Sequence, residues 1–333
     1  MTQSTNDKKS NKPVIIVVII VAIIVIAAAI VFITSANKKA EEAETTTTYT
    51  AQEDDDFGTT ITYNGEKYKL DQNKSTILFM GVDAGDQGEI VTDYGQGGRC
   101  DTIILFITDK SDNSIQMLEM SRNSMVDVDV YDNEGEELYS DTMQICLQYA
   151  YGDSFKRGNY LMKKKVSETL SDITIDDYIS LQMDGIPKIV DALGGVTITM
   201  EEDCTAIDPA YTKGATVTMD GEAAESFVRY RGDEEGSNEN TRMSNQAWFM
   251  KQLFSQMKGI GVSKISEIMD DAGDYLDTDM YADTMANFLK YNFNDEALTV
   301  PGEVKQEIYD EFWIDNEKLK GQIINLFYKK VEE

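Results

Sequence analysis

Two aspartates lie at the ends of consecutive apolar runs in the middle of the sequence. Asp83 directly follows the run at 76–82, and Asp101 directly precedes the run at 102–108. If these runs are neighbouring strands, the loop between them brings both carboxylates to one edge of a sheet, where α/β proteins bind ligands. Two oxygen ligands with open positions suit a Mg²⁺ ion that holds a phosphate. The alternative is that both residues are turn-forming aspartates.

Arginine is scarce, and most of it falls near the same strand ends. Only six of the 30 basic residues are arginine. Arginine can bind phosphate through two parallel hydrogen bonds, whereas lysine serves well on a solvated surface. Five of the arginines therefore indicate a ligand with several phosphate oxygens, such as a diphosphate, and the alternative is that they pair with surface acids. Arg242 and Gln246 are four residues apart and share one helix face. The five are Arg99, Arg122, Arg229, Arg231 and Arg242.

The composition narrows the chemistry further. The chain has 333 residues, a formal net charge of −30 and no histidine. An acidic surface repels polyanions, which excludes nucleic-acid binding through counterion release. The absence of histidine excludes a Ser/His/Asp triad, imidazole acid–base catalysis and histidine-ligated zinc. Because 41% of the residues are apolar, the chain can form a core. Its chemistry must use carboxylates, arginine, lysine, hydroxyls or an oxygen-bound metal.

Strands alternate with helices through most of the chain, which predicts an α/β domain built in layers. Short apolar or alternating runs predict strands, and longer segments with helical periodicity predict helices. The predicted strands are 76–82, 102–108, 114–120, 178–183 and 196–200. The predicted helical segments are 141–151, 159–170, 186–193, 222–229, 240–257, an acidic region at 264–291, and 316–328.

The N-terminal region predicts a membrane anchor. An uninterrupted apolar run of 20 residues covers 14–33, long enough to cross a hydrocarbon core of about 30 Å as a helix. A cleavable signal peptide is the alternative, although its apolar region is normally shorter. Lys8, Lys9 and Lys12 precede the run and acidic residues soon follow it, which favours a cytoplasmic N-terminus. The polar, repetitive segment that follows, 35–72, predicts a flexible acidic stalk.

Other features carry little functional information. The glycine-rich stretch 85–98 lacks both phosphate-loop signatures and predicts a mobile loop. The acidic segment 127–141 fails as a calcium loop, because aligning Gly135 at the sixth position places Val130 where a carboxylate is required. The Arg-Gly-Asp tripeptide at 231–233 is attributed to chance. The three cysteines predict buried apolar side chains rather than a disulfide framework.

An ordered set of motifs behind the apolar N-terminal run resembles the LytR-CpsA-Psr family. Each motif alone is weak, but their order over 75–259 is specific. The motifs are FMGVD at 79–83, RCDT at 99–102, EMSRNSMV at 119–126, LQYAYGD at 147–153, MDGIPKIVDALGGVTITM at 183–200, and VRYRG followed by NTRMSNQ between 228 and 246.

The resemblance implies a three-layer α/β/α domain with a mixed central sheet behind one N-terminal transmembrane helix. It also implies a Mg²⁺-dependent phosphotransferase of the Gram-positive cell wall. Such an enzyme moves a glycopolymer, such as teichoic acid or capsular polysaccharide, from a polyprenyl diphosphate carrier to a hydroxyl of peptidoglycan. We expect a single-pass cell-membrane protein with its main domain outside. The expected segments are a cytoplasmic tail (1–13), the anchor (14–34), the stalk (35–72), the catalytic domain (73–259) and a helical C-terminal extension of that domain (260–333).

The resemblance also implies roles for individual residues. Asp83 and Asp101 are expected to hold Mg²⁺ on the diphosphate. Catalysis of this kind rests on positioning and charge neutralisation and needs no histidine. The polyprenyl tail is expected to occupy an apolar tunnel lined by helices between 142 and 257. The expected diphosphate ligands are Arg99, Arg122, Arg229, Arg231, Arg242 and Gln246. The expected catalytic residues are Asp101, Arg122, Arg229 and Arg231.

Two positions depart from the family's pattern. Asn123 occupies the position that usually holds aspartate, directly after the arginine that ends the third strand. A common Lys-Ile-Asn motif is replaced by Gln144-Ile145-Cys146. Because asparagine cannot act as a general base, the main alternative is a carrier-lipid binding or regulatory protein with weakened catalysis. A structural or adhesion domain is a third hypothesis, against which the aspartate and arginine constellation argues.

Overall fold

Three long apolar runs form adjacent strands whose side chains are buried on both faces of a sheet. Continuous Val, Ile, Leu and Phe runs are typical of strands covered on both sides. The structure is a computed structural model, and it describes residues 60–83, 98–132, 134–230, 238–294, 296–306 and 310–331. Within this part of the chain, no helix combines the length and the apolar character needed to cross a bilayer. The predicted tail, the predicted anchor and most of the predicted stalk lie outside the described residues.

The elements alternate between strand and helix as the sequence predicts. The strands are β1 (Thr60–Tyr63), β2 (Glu66–Leu70), β3 (Lys74–Asp83), β4 (Arg99–Asp109), β5 (Ser114–Met120), β6 (Met125–Tyr131), β7 (Glu137–Gln144), β8 (Asp177–Gln182), β9 (Val196–Thr199), β10 (Thr216–Met219), β11 (Leu276–Thr278), β12 (Asn292–Phe293), β13 (Leu298–Thr299), β14 (Gly302–Gln306), β15 (Asp310–Ile314) and β16 (Tyr328–Lys330). The helices are α1 (Phe155–Thr169), α2 (Ile186–Leu193), α3 (Gly221–Arg229), α4 (Asn238–Met257), α5 (Val262–Ala272), α6 (Ala282–Phe288) and α7 (Asn316–Phe327).

The central sheet has seven strands and mixed directions. β3, β4 and β5 lie side by side and antiparallel. β8 pairs in parallel with β3, and β11 pairs with the far side of β8 in the antiparallel sense. At the opposite edge, the short strands β12 and β13 both pair in parallel with β5. The predicted mixed central sheet is therefore confirmed.

Helices cover both faces of this sheet. Alternate side chains of each strand point in opposite directions, so Phe79 and Phe106 enter one core while Leu78 and Leu105 enter the other. The first core is closed by α2 through α6. The second is closed by α1 and α7. The site described below lies on the first side, where α4 meets the ends of β3, β4 and β5.

The predicted helix at 141–151 is wrong in its first part. Residues 141–144 belong to β7, and a 3₁₀ helix follows at Ile145–Tyr151. β7 pairs with β6, so residues 127–131 and 137–141 of the acidic segment that failed as a calcium loop lie on two paired strands. The hydroxyl of Thr142 donates to Oδ1 of Asp127 at 3.0 Å across the pair. These cross-strand partners stabilise residues 141–144 as a strand. Helical periodicity in a short stretch of sequence does not reveal such partners.

The predicted stalk ends too late in the chain. β1 and β2 form a hairpin around Asn64 and Gly65, whose positive φ angles of 51° and 81° are those of a tight two-residue turn. Apolar side chains of the hairpin, including Ile61 and Tyr68, pack against the core beneath α7. β2 also pairs with β16, so the hairpin belongs to the folded domain.

The sequence predicts a helical C-terminal extension at 260–333. The described residues of this segment also form six short strands, so the prediction is wrong in part. Three of them complete the central sheet, because β11 covers the edge at β8 while β12 and β13 cover the edge at β5. Unpaired sheet edges expose backbone donors and acceptors, so covering them stabilises the fold. Strands of two or three residues are too short to produce a visible alternation in the sequence.

Candidate functional site

The β3–β4 pair ends in a β-bulge that carries the predicted carboxylates. Asp83 pairs across the strands with Arg99, and both side chains are exposed at the open end of the sheet. The register shifts after Gly81, which leaves Asp101 as an extra residue on β4. Gly81 permits the close approach of the strands here, because a Cβ atom would lie 2.8 Å from side-chain atoms of Thr102. Bulges of this kind redirect side chains at sheet ends.

Among the described residues, Asp101 is ion-paired with two arginines. Its Oδ1 accepts a hydrogen bond from Nη1 of Arg122, which follows β5, and its Oδ2 lies 3.4 Å from Nη1 of Arg242 on α4. All three side chains are at least nine-tenths buried. A charge buried to this degree is tolerated only with good geometry and matched partners. Two guanidinium groups directed at one point provide a site for a ligand with several anionic oxygens.

Helix α4 turns Arg242 and Gln246 toward the sheet, as their spacing predicts. Both residues are at least nine-tenths buried. Oε1 of Gln246 accepts a hydrogen bond of 2.8 Å from the Thr102 hydroxyl, and its Nε2 donates to the Val228 carbonyl at 3.3 Å. Gln246 therefore joins three elements at the site, because it connects α4 with β4 and with the end of α3.

The remaining arginines are arranged differently. Arg229 lies at the end of α3, where its Nε donates to Glu225 at 2.8 Å and its Nη2 donates to Asp184 at 2.9 Å. Within the part of the chain that the structure describes, Arg229 is therefore ion-paired with these acids and not with Asp101. Arg231 lies outside the described residues, so its role stays a prediction.

An apolar pocket of about 430 Å³ opens beside this polar cluster. It lies between the sheet and the helices α2 and α4, within the range where the sequence predicts a tunnel. Thr102 and Gln246 supply its polar atoms. The other lining residues are Phe79, Gly81, Leu181, Met183, Ile186, Ile189, Val190, Val228, Phe249, Met250 and Leu253.

A second cavity of about 200 Å³ shares Thr102 and Gln246 with the first and reaches Asp101 and Glu119. Glu119 is buried on β5, and burial raises the pKa of its carboxyl group to about 7. Sequence reasoning did not single out this residue. The available signal was its spacing, because Glu119 follows Met117 by two positions and falls on the face of β5 that otherwise enters the core.

The donor atoms at this edge fit a magnesium ion that is bound together with phosphate. Asp83 and Asp101 provide hard oxygen ligands on neighbouring strands. The described residues contain no group of three or more side chains that could hold a metal by themselves. Mg²⁺ is commonly bound by one or two carboxylates and completes its octahedron with substrate phosphates and water.

The sequence profile of the LytR_cpsA_psr family matches residues 30–323. The chain belongs to this family. The match continues well past residue 259, so most of the C-terminal segment lies within the family's range.

Similar proteins include teichoic acid transferases and a biofilm regulatory protein. The polyisoprenyl-teichoic acid–peptidoglycan teichoic acid transferase TagU of Halalkalibacterium halodurans is 25% identical over 237 residues, which cover 70% of this chain and 71% of that protein. Biofilm regulatory protein A of Streptococcus mutans is 23% identical over 288 residues, or 80% of this chain and 68% of that protein. The crystal structure of Bacillus subtilis TagV superposes with a TM-score of 0.56 at 19% identity, covering 77% of this chain and 98% of TagV. This last likeness supports the α/β fold.

In this family member, the two departures from the usual pattern lie in contact. Nε2 of Gln144 donates a hydrogen bond of 3.1 Å to Oδ1 of Asn123. Asn123 directly follows Arg122, and the backbone N–H of Cys146 donates to the Arg122 carbonyl at 3.2 Å. The residues of both departures therefore surround the turn that carries one of the two arginines on Asp101.

All three cysteines are free thiols, in agreement with the sequence prediction. Cys100 and Cys146 are buried near the site, and burial raises the pKa of both thiols. Cys204 is partly buried, and burial raises its pKa as well. A raised pKa lowers the thiolate fraction, so these residues serve as small apolar side chains.

Proposed function

We propose that this protein transfers a glycopolymer from a polyprenyl diphosphate carrier to a hydroxyl of peptidoglycan. One observation carries the proposal: the charged cluster and the apolar pocket are continuous. Thr102 and Gln246 line the pocket of about 430 Å³ and also the cavity that contains Asp101. A diphosphate attached to an isoprenoid chain has the same two-part character, with anionic oxygens at one end and hydrocarbon at the other. The transferase names of the relatives support this substrate class.

The reaction is a phosphoryl transfer. An acceptor hydroxyl attacks the phosphorus that bears the glycan, and a new phosphorus–oxygen bond forms. The bond to the bridging oxygen breaks, polyprenyl phosphate leaves, and the hydroxyl proton is released to solvent. Arg122 and Arg242 neutralise the negative charge of the diphosphate and keep it in line with the acceptor. Such positioning and charge stabilisation supply most of the catalysis in phosphoryl transfer.

Magnesium is part of the proposal. Asp83 and Asp101 would hold the ion, which when bound would supply further charge neutralisation on the diphosphate. Removing divalent ions with EDTA should abolish transfer, and added Mg²⁺ should restore it. Full activity in EDTA would show that the two carboxylates have another role.

The transfer itself can be tested with the full chain in detergent micelles. The assay combines a polyprenyl diphosphate oligosaccharide, peptidoglycan and Mg²⁺, and it measures released polyprenyl phosphate and glycan bound to peptidoglycan. We expect both products with the parent chain and neither with Arg122→Ala. Lys264→Ala is the control, because Lys264 forms an exposed ion pair with Glu267 on α5. Tight carrier binding without either product would instead favour a regulatory, lipid-binding protein.

The proposed location is the outer face of the cell membrane, with residues 14–34 as the anchor and the N-terminus in the cytoplasm. The apolar run at 14–33 and the preceding lysines support this orientation. Alkaline carbonate should leave the full chain in the membrane pellet, and protease added outside spheroplasts should digest the domain. Release by carbonate or complete protection from protease would contradict the proposed location.

A further inference from the structure

Two segments from other parts of the chain converge on the turn that follows β5. This turn, Ser121–Ser124, contains Arg122. From one side, the backbone N–H of Ile145 donates to the Ser124 carbonyl at 2.8 Å. From the other side, the backbone N–H of Phe312 on β15 donates to the Asn123 carbonyl at 2.9 Å.

The side chain of Gln144 links this turn to β15. Its Nε2 donates to Oδ1 of Asn123 at 3.1 Å and to the backbone carbonyl of Asp310 at 2.9 Å. An amide nitrogen has two hydrogens, so both are used. A reversed amide would place an oxygen against two oxygen acceptors, and the orientation of Gln144 is therefore fixed. The single carboxamide ties the Arg122 turn to the β14–β15 hairpin.

We propose that Gln144 is a positioning residue for the diphosphate site, and this inference rests on the proposed function. Gln144 contacts no reacting atom but acts through Asn123 on the turn, and so directs the Arg122 guanidinium onto Asp101. It also holds β15, which comes from the C-terminal segment, against the edge of the site. Asn123 serves this arrangement as a hydrogen-bond acceptor, a role that needs neither a charge nor a catalytic base.

The chain provides a matched control for this inference. Like Nε2 of Gln144, Nε2 of Gln116 donates two hydrogen bonds. Its acceptors are the backbone carbonyls of Met117 at 3.0 Å and Glu296 at 2.8 Å. Gln116 also ties a strand to the C-terminal segment, but it lies six residues from Arg122 along β5, about 20 Å away. Replacing Gln144 by leucine removes two hydrogen bonds, whereas replacing Gln116 removes three, because Nδ2 of Asn294 also donates to Oε1 of Gln116 at 2.8 Å. Only the loss at Gln144 should affect Arg122.

The test measures binding of inorganic pyrophosphate in the presence of Mg²⁺ by calorimetry, with the full chain in detergent micelles. We expect Gln144→Leu to weaken binding about tenfold, because small displacements of a positioned group are costly. Gln116→Leu should bind pyrophosphate within about twofold of the affinity of the parent chain, even if its melting temperature falls as much as that of Gln144→Leu. Combining Asn123→Ala with Gln144→Leu should weaken binding no further than Gln144→Leu alone, because both remove the same link.

Arg122→Ala separates failure of this inference from failure of the site. If Arg122→Ala weakens pyrophosphate binding while Gln144→Leu matches Gln116→Leu, the site stands and the positioning role of Gln144 is wrong. If Arg122→Ala binds pyrophosphate as well as the parent chain does, the diphosphate site is wrong and the inference about Gln144 falls with it.

Discussion

Asp101 on β4 and Glu119 on β5 line the same small cavity in opposite surroundings. Asp101 is ion-paired with Arg122 and Arg242. Burial raises the pKa of Glu119 to about 7. The comparison shows that the two arginines are directed at one wall of the cavity. In a chain with a net charge of −30, these guanidinium groups concentrate positive charge beside Asp101.

The largest loss of stability is expected from removing the ion pair between Arg122 and Asp101. Arg122→Ala removes one partner of a buried carboxylate, and such losses typically cost about 3–5 kcal/mol. Urea unfolding of the full chain in detergent, followed by tryptophan fluorescence, measures this change. Asp101→Asn in the Arg122→Ala background should recover part of the lost stability, since it removes the carboxylate charge. An Arg122→Ala chain as stable as the parent would mean that the ion pair contributes nothing.

The raised pKa of Glu119 is tested by the pH dependence of the free energy of unfolding. Below pH 4.5, the carboxyl group is protonated in both folded and unfolded chains and costs nothing. As the pH rises toward 7, the unfolded chain releases the proton while the folded chain keeps it, so stability falls and the penalty remains above pH 7. Glu119→Gln removes this penalty. Its stability relative to the parent should be about 3 kcal/mol more favourable at pH 8 than at pH 4.

The control for this prediction is Glu222→Gln on the exposed surface of α3. It should show less than about 0.5 kcal/mol of difference between the two pH values. A Glu119→Gln chain with the same flat response would contradict the raised pKa and the contrast with Asp101.

A smaller effect is expected at the hydrogen bond between the two cavities. Thr102→Val keeps the side-chain shape but removes the donor to Oε1 of Gln246, leaving a buried acceptor unsatisfied. The expected cost is about 1–2 kcal/mol in urea unfolding. Thr102→Ser keeps the hydroxyl and should retain more of the stability than Thr102→Val does. Equal losses in both variants would show that the hydrogen bond to Gln246 does not account for the effect.

The smallest effect is expected from a pair far from both carboxyl groups. Lys264→Ala removes the exposed ion pair with Glu267 on α5 and should change stability by less than about 0.5 kcal/mol. This value sets the background for the other three variants in the same unfolding assay. A loss comparable with that of Arg122→Ala would show that burial does not explain the larger effects.

Regular elements with a strong local pattern could be predicted from the sequence. β5 and α2 have the predicted bounds, since one alternates through seven residues and the other ends at Gly194 with a left-handed conformation. The β1–β2 hairpin was missed within a polar segment, although Asn64-Gly65 is a strong turn signal. The short strands β11, β12 and β13 depend on distant partners at the edges of the central sheet, and no local pattern specifies such partners.

The residues of the site that lie beside predicted strand ends or on a predicted helix could be identified from the sequence. Asp101, Arg122 and Arg242 were grouped by residue type and by their places beside predicted strands and a helix, and the fold brings these three together. Glu119 was missed because its burial arises only when β5 pairs with β4 and α4 covers both. The ion pairs of Arg229 and the contact between Asn123 and Gln144 likewise depend on side-chain positions that spacing does not determine.

The pairing of β2 with β16 has a consequence for the order of folding. β2 is among the first parts of the described domain to be synthesised, whereas β16 lies within its last few residues. Chains emerge from the ribosome N-terminus first, and contacts between distant residues form slowly. The β1–β2 hairpin can form as soon as it emerges, but it can pair with β16 only after β16 has been synthesised. The sheet that contains the earliest strands of this domain is therefore among the last to be completed.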